Sequence, residues 1–199
     1  MGSVAGPVLP LYVRELGVEI MDWGLMSTAM AVGLILFEGF FGSISDRVDR
    51  KKMIILACIG LGCVFPLYGL VKNVSYFIYY QIAIGSIAVA VGTTSRALVT
   101  DLTTPETRGT YMSLWWGFFT LGSVIGPVLG TYISELMGYE YAFYFSSVLL
   151  FAGAIFFALF SKLDGKAHVS EGARVGMIEG FRALLKIGNI RFALVLTLF

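Results

Sequence analysis

Glu38 is the only acidic residue set well inside an apolar run of this 199-residue chain. Charge at such a depth costs about 2.5 to 3.5 kcal/mol on insertion scales, which favours the neutral, protonated carboxyl. Two chemistries suit that position: reversible binding of a proton carried across a membrane, or a neutral carboxyl hydrogen-bonded to a neighbouring helix. Gly42 follows four residues later and Asp46 eight later, on broadly the same helical face, which sets Glu38 about 12 Å deeper than Asp46. Asp46 then opens a burst of charge, Asp46-Arg47-Val48-Asp49-Arg50-Lys51-Lys52, holding four of the 14 basic residues. At the carboxyl end of a helix the dipole disfavours a carboxylate by about 0.3 to 1 kcal/mol, so Asp46 needs a cation or the amino end of another helix. Gly42, without a Cβ, lets a second helix approach closely. The stretch is a docking surface, or an ordinary basic loop with a helix-ending glycine.

The remaining candidates for chemistry are few. Cys58 and Cys63 lack metal-ligand spacing, and His168, the single histidine, stands in a polar stretch without a Cys or His nearby, so no metal or other cofactor is expected. No second acid, no histidine and no nucleophile paired with a base accompanies Glu38 within the apolar runs, so the chain is not expected to be an enzyme.

The elements that must position these residues are apolar helices. With 57% hydrophobic residues, 14% charged residues and a mean hydropathy of +0.83, the chain cannot cover a water-facing surface. It is expected to be an all-α, polytopic membrane protein with the lipid bilayer as its first partner. A net charge of +1 gives no reason to expect a nucleic acid. Full-length helices are expected over Trp23–Ile44, Met53–Val71, Ser75–Thr100, Tyr111–Ile133 and Tyr141–Phe160, preceded by a short apolar segment to Val13. The organisation expected is a six-helix transmembrane bundle over residues 1–160 with its first helix truncated. A linker over 161–190 with an interfacial amphipathic helix follows, and 191–199 opens a seventh span. Arg47, Arg50, Lys51, Lys52, Arg96, Arg108 and the linker's basic residues fall on one side, against Arg14 and Lys72 on the other. The richer side is therefore expected to be cytoplasmic, and the membrane the plasma membrane.

The spacing Gly42-x-x-x-Asp46-Arg47-x-x-Arg50-Lys51 resembles the signature between helices 2 and 3 of the major facilitator superfamily. Two further stretches agree. Arg96, Asp101, Pro105, Glu106, Arg108 and Gly109 resemble the signature at the end of helix 4 and the loop after it. Gly122-x-x-x-Gly126-Pro127-x-x-Gly130 in helix 5 is similar to the antiporter signature of the drug/proton branch, with Thr131 in place of a final glycine. The resemblance implies that this is the amino-terminal half of a twelve-helix transporter, completed by a carboxy-terminal six-helix half and moving a small-molecule substrate and protons by alternating access. It implies that Gly42, Asp46 and Arg50 form a latch, with Arg47, Lys51 and Arg108 supporting it and Asp101 as the partner of Arg50. Asp49 replaces a glycine of the pattern, and Gln81 replaces an arginine four residues before Gly85. Gln81 is then a cavity residue touching substrate, or one side of an interhelical hydrogen bond of about 0.6 kcal/mol. Proton-coupled efflux of drug-like or amphipathic molecules is the expected activity. A sugar or organic-anion uniporter or symporter, or a non-transporting half-transporter fragment, is the alternative. In the chain alone, Gly42 and Asp46 are expected on an exposed face and Arg50 within reach of Asp101.

Overall fold

The structure is a computed structural model and describes residues 4–70 and 73–160. The expected linker over 161–190 and the start of a seventh span at 191–199 lie outside the described residues.

Among the described residues six α-helices follow one another: α1 (Ala5–Glu15), α2 (Ile20–Ser45), α3 (Arg50–Leu70), α4 (Val74–Asp101), α5 (Pro105–Met137) and α6 (Tyr139–Phe160). The last five are long and apolar enough to cross a membrane. Even α3, with 21 residues, is about 32 Å long, against a hydrocarbon core of about 30 Å. The 11 residues of α1 give only about 17 Å.

Local chemistry sets the helix ends. Asn73 accepts the Ser75 N–H at 3.0 Å to start α4. Gly17 and Gly138 take positive φ, +80° and +108°, and stop α1 and α5. The structure corrects the expected start of helix 5. Pro105, Glu106, Arg108 and Gly109 belong to the first turns of α5 and not to a loop. Pro105 fits a first helical position, where no amide hydrogen is needed, and the Thr107 hydroxyl accepts the Thr104 N–H at 3.2 Å. These turns are polar, so an apolar window misses them.

In the bundle α2 packs on α4, α3 on α4 and α6, and α1 on α5 and α6. Exchanging α1 with α4, α2 with α5 and α3 with α6 maps these five pairings onto each other, as two three-helix repeats would, while the further contacts of α5 with α6 and with α4 have no such counterpart. Close approach needs glycine at two crossings. A Cβ on Gly33 would run into the Ile82 carbonyl and one on Gly85 into the Met30 carbonyl, so α2 and α4 touch backbone to backbone. Gly130 of α5 meets the Val4 carbonyl at the head of α1 in the same way. Tyr12, Tyr68, Phe77 and Phe143 stack into a buried aromatic knot joining α1, α3, α4 and α6, with ring centroids 5.1–6.2 Å apart. Large apolar side chains such as Ile35, Leu36, Phe118 and Val128 stay exposed on α2 and α5.

Candidate functional site

The charged residues of the α2–α3 connection close on the end of α4. Ser45 ends α2 and its hydroxyl donates to the Gly42 carbonyl at 3.0 Å. Asp46 follows with its side chain 72% exposed, and nothing lies within 4 Å of where a Gly42 Cβ would stand. Asp49 accepts the backbone N–H groups of Lys51 at 2.9 Å and Lys52 at 3.4 Å, capping α3. Among the described residues only glycines have positive φ, so this turn is made without the glycine of the signature. The replacement trades a flexible turn residue for a helix cap.

Arg50 ties three helix ends together. Its side chain is only 12% exposed, with Nη1 2.9 Å from Asp101 Oδ2 at the end of α4 and Nη2 3.5 Å from Asp46 Oδ1 at the end of α2. The cation that Asp46 needs is therefore Arg50, one turn on. Arg47 and Arg108 are exposed and Lys51 is half-buried.

Further along the same seam Glu38 Oε1 lies 4.0 Å from Arg96 Nη2, while Arg96 Nε donates to the Gly92 carbonyl at 3.2 Å. Depth in an apolar run makes Glu38 look buried, but its side chain is 61% exposed and stands on the surface of this bundle. Hydropathy reports where a residue lies along a helix and not which way it faces. Its neighbour is a cation and not a neutral helix. Gln81, by contrast, is 4% exposed and packed inside the bundle one turn before Gly85, and not on an open cavity wall. The glycine signature of α5 divides: Gly126 and Gly130 are buried, Pro127 is half-buried, and Gly122 is exposed with open space at its Cβ position.

A family model described as Major Facilitator Superfamily matches residues 1–199. The chain belongs to the Major Facilitator Superfamily. The all-helical bundle is one six-helix half of that fold, and membership sets the chain among transporters rather than enzymes. It is 26% identical to "Multidrug resistance protein MdtG" of Dickeya zeae over 198 residues, covering 94% of this chain and 46% of the relative. To "Multidrug resistance protein 2" of Bacillus subtilis it is 29% identical over 149 residues, 75% of this chain and 37% of the relative. To the "Staphyloferrin B transporter" of Staphylococcus aureus it is 26% identical over 185 residues, 90% and 44%. The chain thus spans less than half the length of these relatives.

The superfamily signatures name Arg50 and Asp101 but not the pairing of Glu38 with Arg96. The backbone crossing at Gly33 and Gly85, which brings those two helices together, has a faint sequence signal: each glycine sits in the middle of an apolar run where helix propensity disfavours it.

Proposed function

We propose that this chain is the amino-terminal half of a proton-coupled exporter of drug-like or amphipathic small molecules that works by alternating access. The observation that carries the reading is the α2/α4 seam. Its one deep acid, Glu38, stands 4.0 Å from Arg96, and the Arg50–Asp101 pair closes the same seam at its loop end. A proton taken up by Glu38 cancels one charge of that pair and leaves Arg96 without its counter-ion, which gives the seam two electrostatic states. Exposed Asp46, beside a glycine with open space above it, offers a docking point for a positively polarised helix end of the other half. The residues beside the seam thus form a latch: Gly42 and Asp46 dock, Arg50 and Asp101 brace, and Arg47, Lys51 and Arg108 supply local positive charge facing the cytoplasm. The names of the relatives from Dickeya zeae and Bacillus subtilis support drug-like cargo.

The name of the Staphylococcus aureus relative supports a second reading, with cargo of the staphyloferrin B kind in place of an amphipathic drug. Ethidium efflux from cells carrying the complete transporter, followed across a series of external pH values, separates the two. The proposed reading gives efflux that rises with external acidity and a profile flattened by Glu38→Gln. A Glu38→Gln profile that matches the unaltered protein would sink the proton assignment.

A further inference from the structure

Burial holds α3 from Met53 onward, where Met53, Ile54 and Ala57 are each 8% exposed. Before them stand Arg50, Lys51 and Lys52, a run of cations in the first turn with no acid among them. The helix dipole disfavours positive charge at that end, and the first backbone N–H groups of a helix have no partner within it. Left to itself, this turn frays. Arg50 is its first residue, so the brace across to α4 starts from the weakest part of α3.

Asp49 counters the fraying. Its carbonyl accepts the Met53 N–H at 3.0 Å, which makes it the residue where the helix begins, and its Oδ1 accepts the N–H groups of Lys51 at 2.9 Å and Lys52 at 3.4 Å. The carboxylate thus grips the backbone on either side of the turn's charges. The Arg50 guanidinium takes its contacts elsewhere, from Asp101 and Asp46, through its two outer nitrogens alone, while its buried Nε makes no hydrogen bond with a described residue. A side chain held only at its tip depends for its aim on where its Cα stands, and Asp49 fixes that point.

We infer that Asp49 is a positioning residue of the proposed latch: through the backbone of the first turn of α3 it holds Arg50 against Asp101, and it does so as a hydrogen-bond acceptor rather than as a charge. The inference rests on the latch reading and deepens it. A glycine at this place in the signature has no side-chain oxygen to accept those two N–H groups, so in this chain Asp49 sets the aim of Arg50 before another helix docks on Asp46.

The test is a double-mutant cycle on Asp49→Ala and Asp101→Asn, read by unfolding of the full chain in one detergent, with Asp49→Asn as a third variant. Asp49→Ala should lower the folding equilibrium constant about fivefold, the usual loss for a removed cap. In the Asp101→Asn background the same change should cost less by a factor of about two or more, because the cap then has no brace to hold. A cap that serves the helix alone costs the same in both backgrounds. Two carboxylates that only repel one another give the opposite sign, with Asp49→Ala costing more once Asp101 is neutral. Asp49→Asn keeps an accepting oxygen and should match the unaltered chain within about twofold in both backgrounds. If Asp49→Ala does not fold, Asp49→Gly, a milder loss at a cap, takes its place and should couple with the same sign. Zero coupling, coupling of the opposite sign, or an Asp49→Asn chain that behaves as Asp49→Ala would overturn the inference. The cycle needs no gradient, substrate or other half, so its failure is told apart from a failure of the proton assignment in ethidium efflux.

Discussion

Gly85→Ala and Gly92→Ala make the same chemical change seven residues apart on α4, and the structure gives them opposite signs. A methyl on Gly92 meets nothing within 4 Å. It gains the helix propensity of alanine over glycine, up to about 1 kcal/mol. A methyl on Gly85 gains the same propensity but drives into the Met30 carbonyl, with the Met30 carbonyl carbon at 3.1 Å and the Leu34 nitrogen at 3.2 Å. These are backbone atoms, which cannot turn aside as a side chain can, so the overpacking cost belongs at the upper part of the usual range of about 1 to 3 kcal/mol. The net expectation is a loss of about 1 to 2 kcal/mol for Gly85→Ala against a gain of up to about 1 kcal/mol for Gly92→Ala, a gap of about 2 to 3 kcal/mol. For a domain of this size that separates the two melting temperatures by about 4 to 12 °C. Thermal unfolding of both variants in one detergent reads the difference directly. Gly33→Ala combined with Gly85→Ala should cost less than the sum of the two, because helices parted by the first methyl have room for the second. If Gly85→Ala and Gly92→Ala shift the melting temperature alike, the backbone crossing that brings Glu38 to Arg96 is not as described.

Two further expectations concern the seam and the core. In a double-mutant cycle on Arg50→Ala and Asp101→Asn, chemical or thermal unfolding should give a coupling of about 1 to 3 kcal/mol, since the guanidinium is 12% exposed and 2.9 Å from its partner; zero coupling would remove the brace from the latch. Ser147→Ala deletes the hydroxyl that donates from α6 to the Gly62 carbonyl on α3, and should cost about 0.6 kcal/mol and at most about 1.7. A larger loss in the same unfolding assay would mean that the α3/α6 contact depends on more than that bond.

Helix number and most helix positions were legible because apolar run length is a one-dimensional property. The ends of α5 were not, since Pro105 to Gly109 are polar residues held in a helix by Thr104, Thr107 and Pro105 itself. Arg50 and Asp101 could be paired on paper only through the resemblance, which supplies the helix adjacency that spacing lacks. Glu38 shows the limit most plainly. Its depth was readable, but its exposure and its Arg96 neighbour depend on two glycines in different helices meeting face to face. Gln81 could not be placed on paper between its two alternatives, because a polar residue in a long apolar helix looks the same whether it faces a cavity or the packed interior; its side chain is buried.

The most direct measurement is ethidium uptake into proteoliposomes that hold the complete transporter with its cytoplasmic face outward and an acidic lumen. Proton-coupled export predicts that ethidium accumulates in the lumen as protons leave it, that a protonophore stops the accumulation, and that Glu38→Gln removes its dependence on the gradient. Accumulation that continues after the gradient is collapsed, or that Glu38→Gln leaves fully dependent on it, would contradict the account.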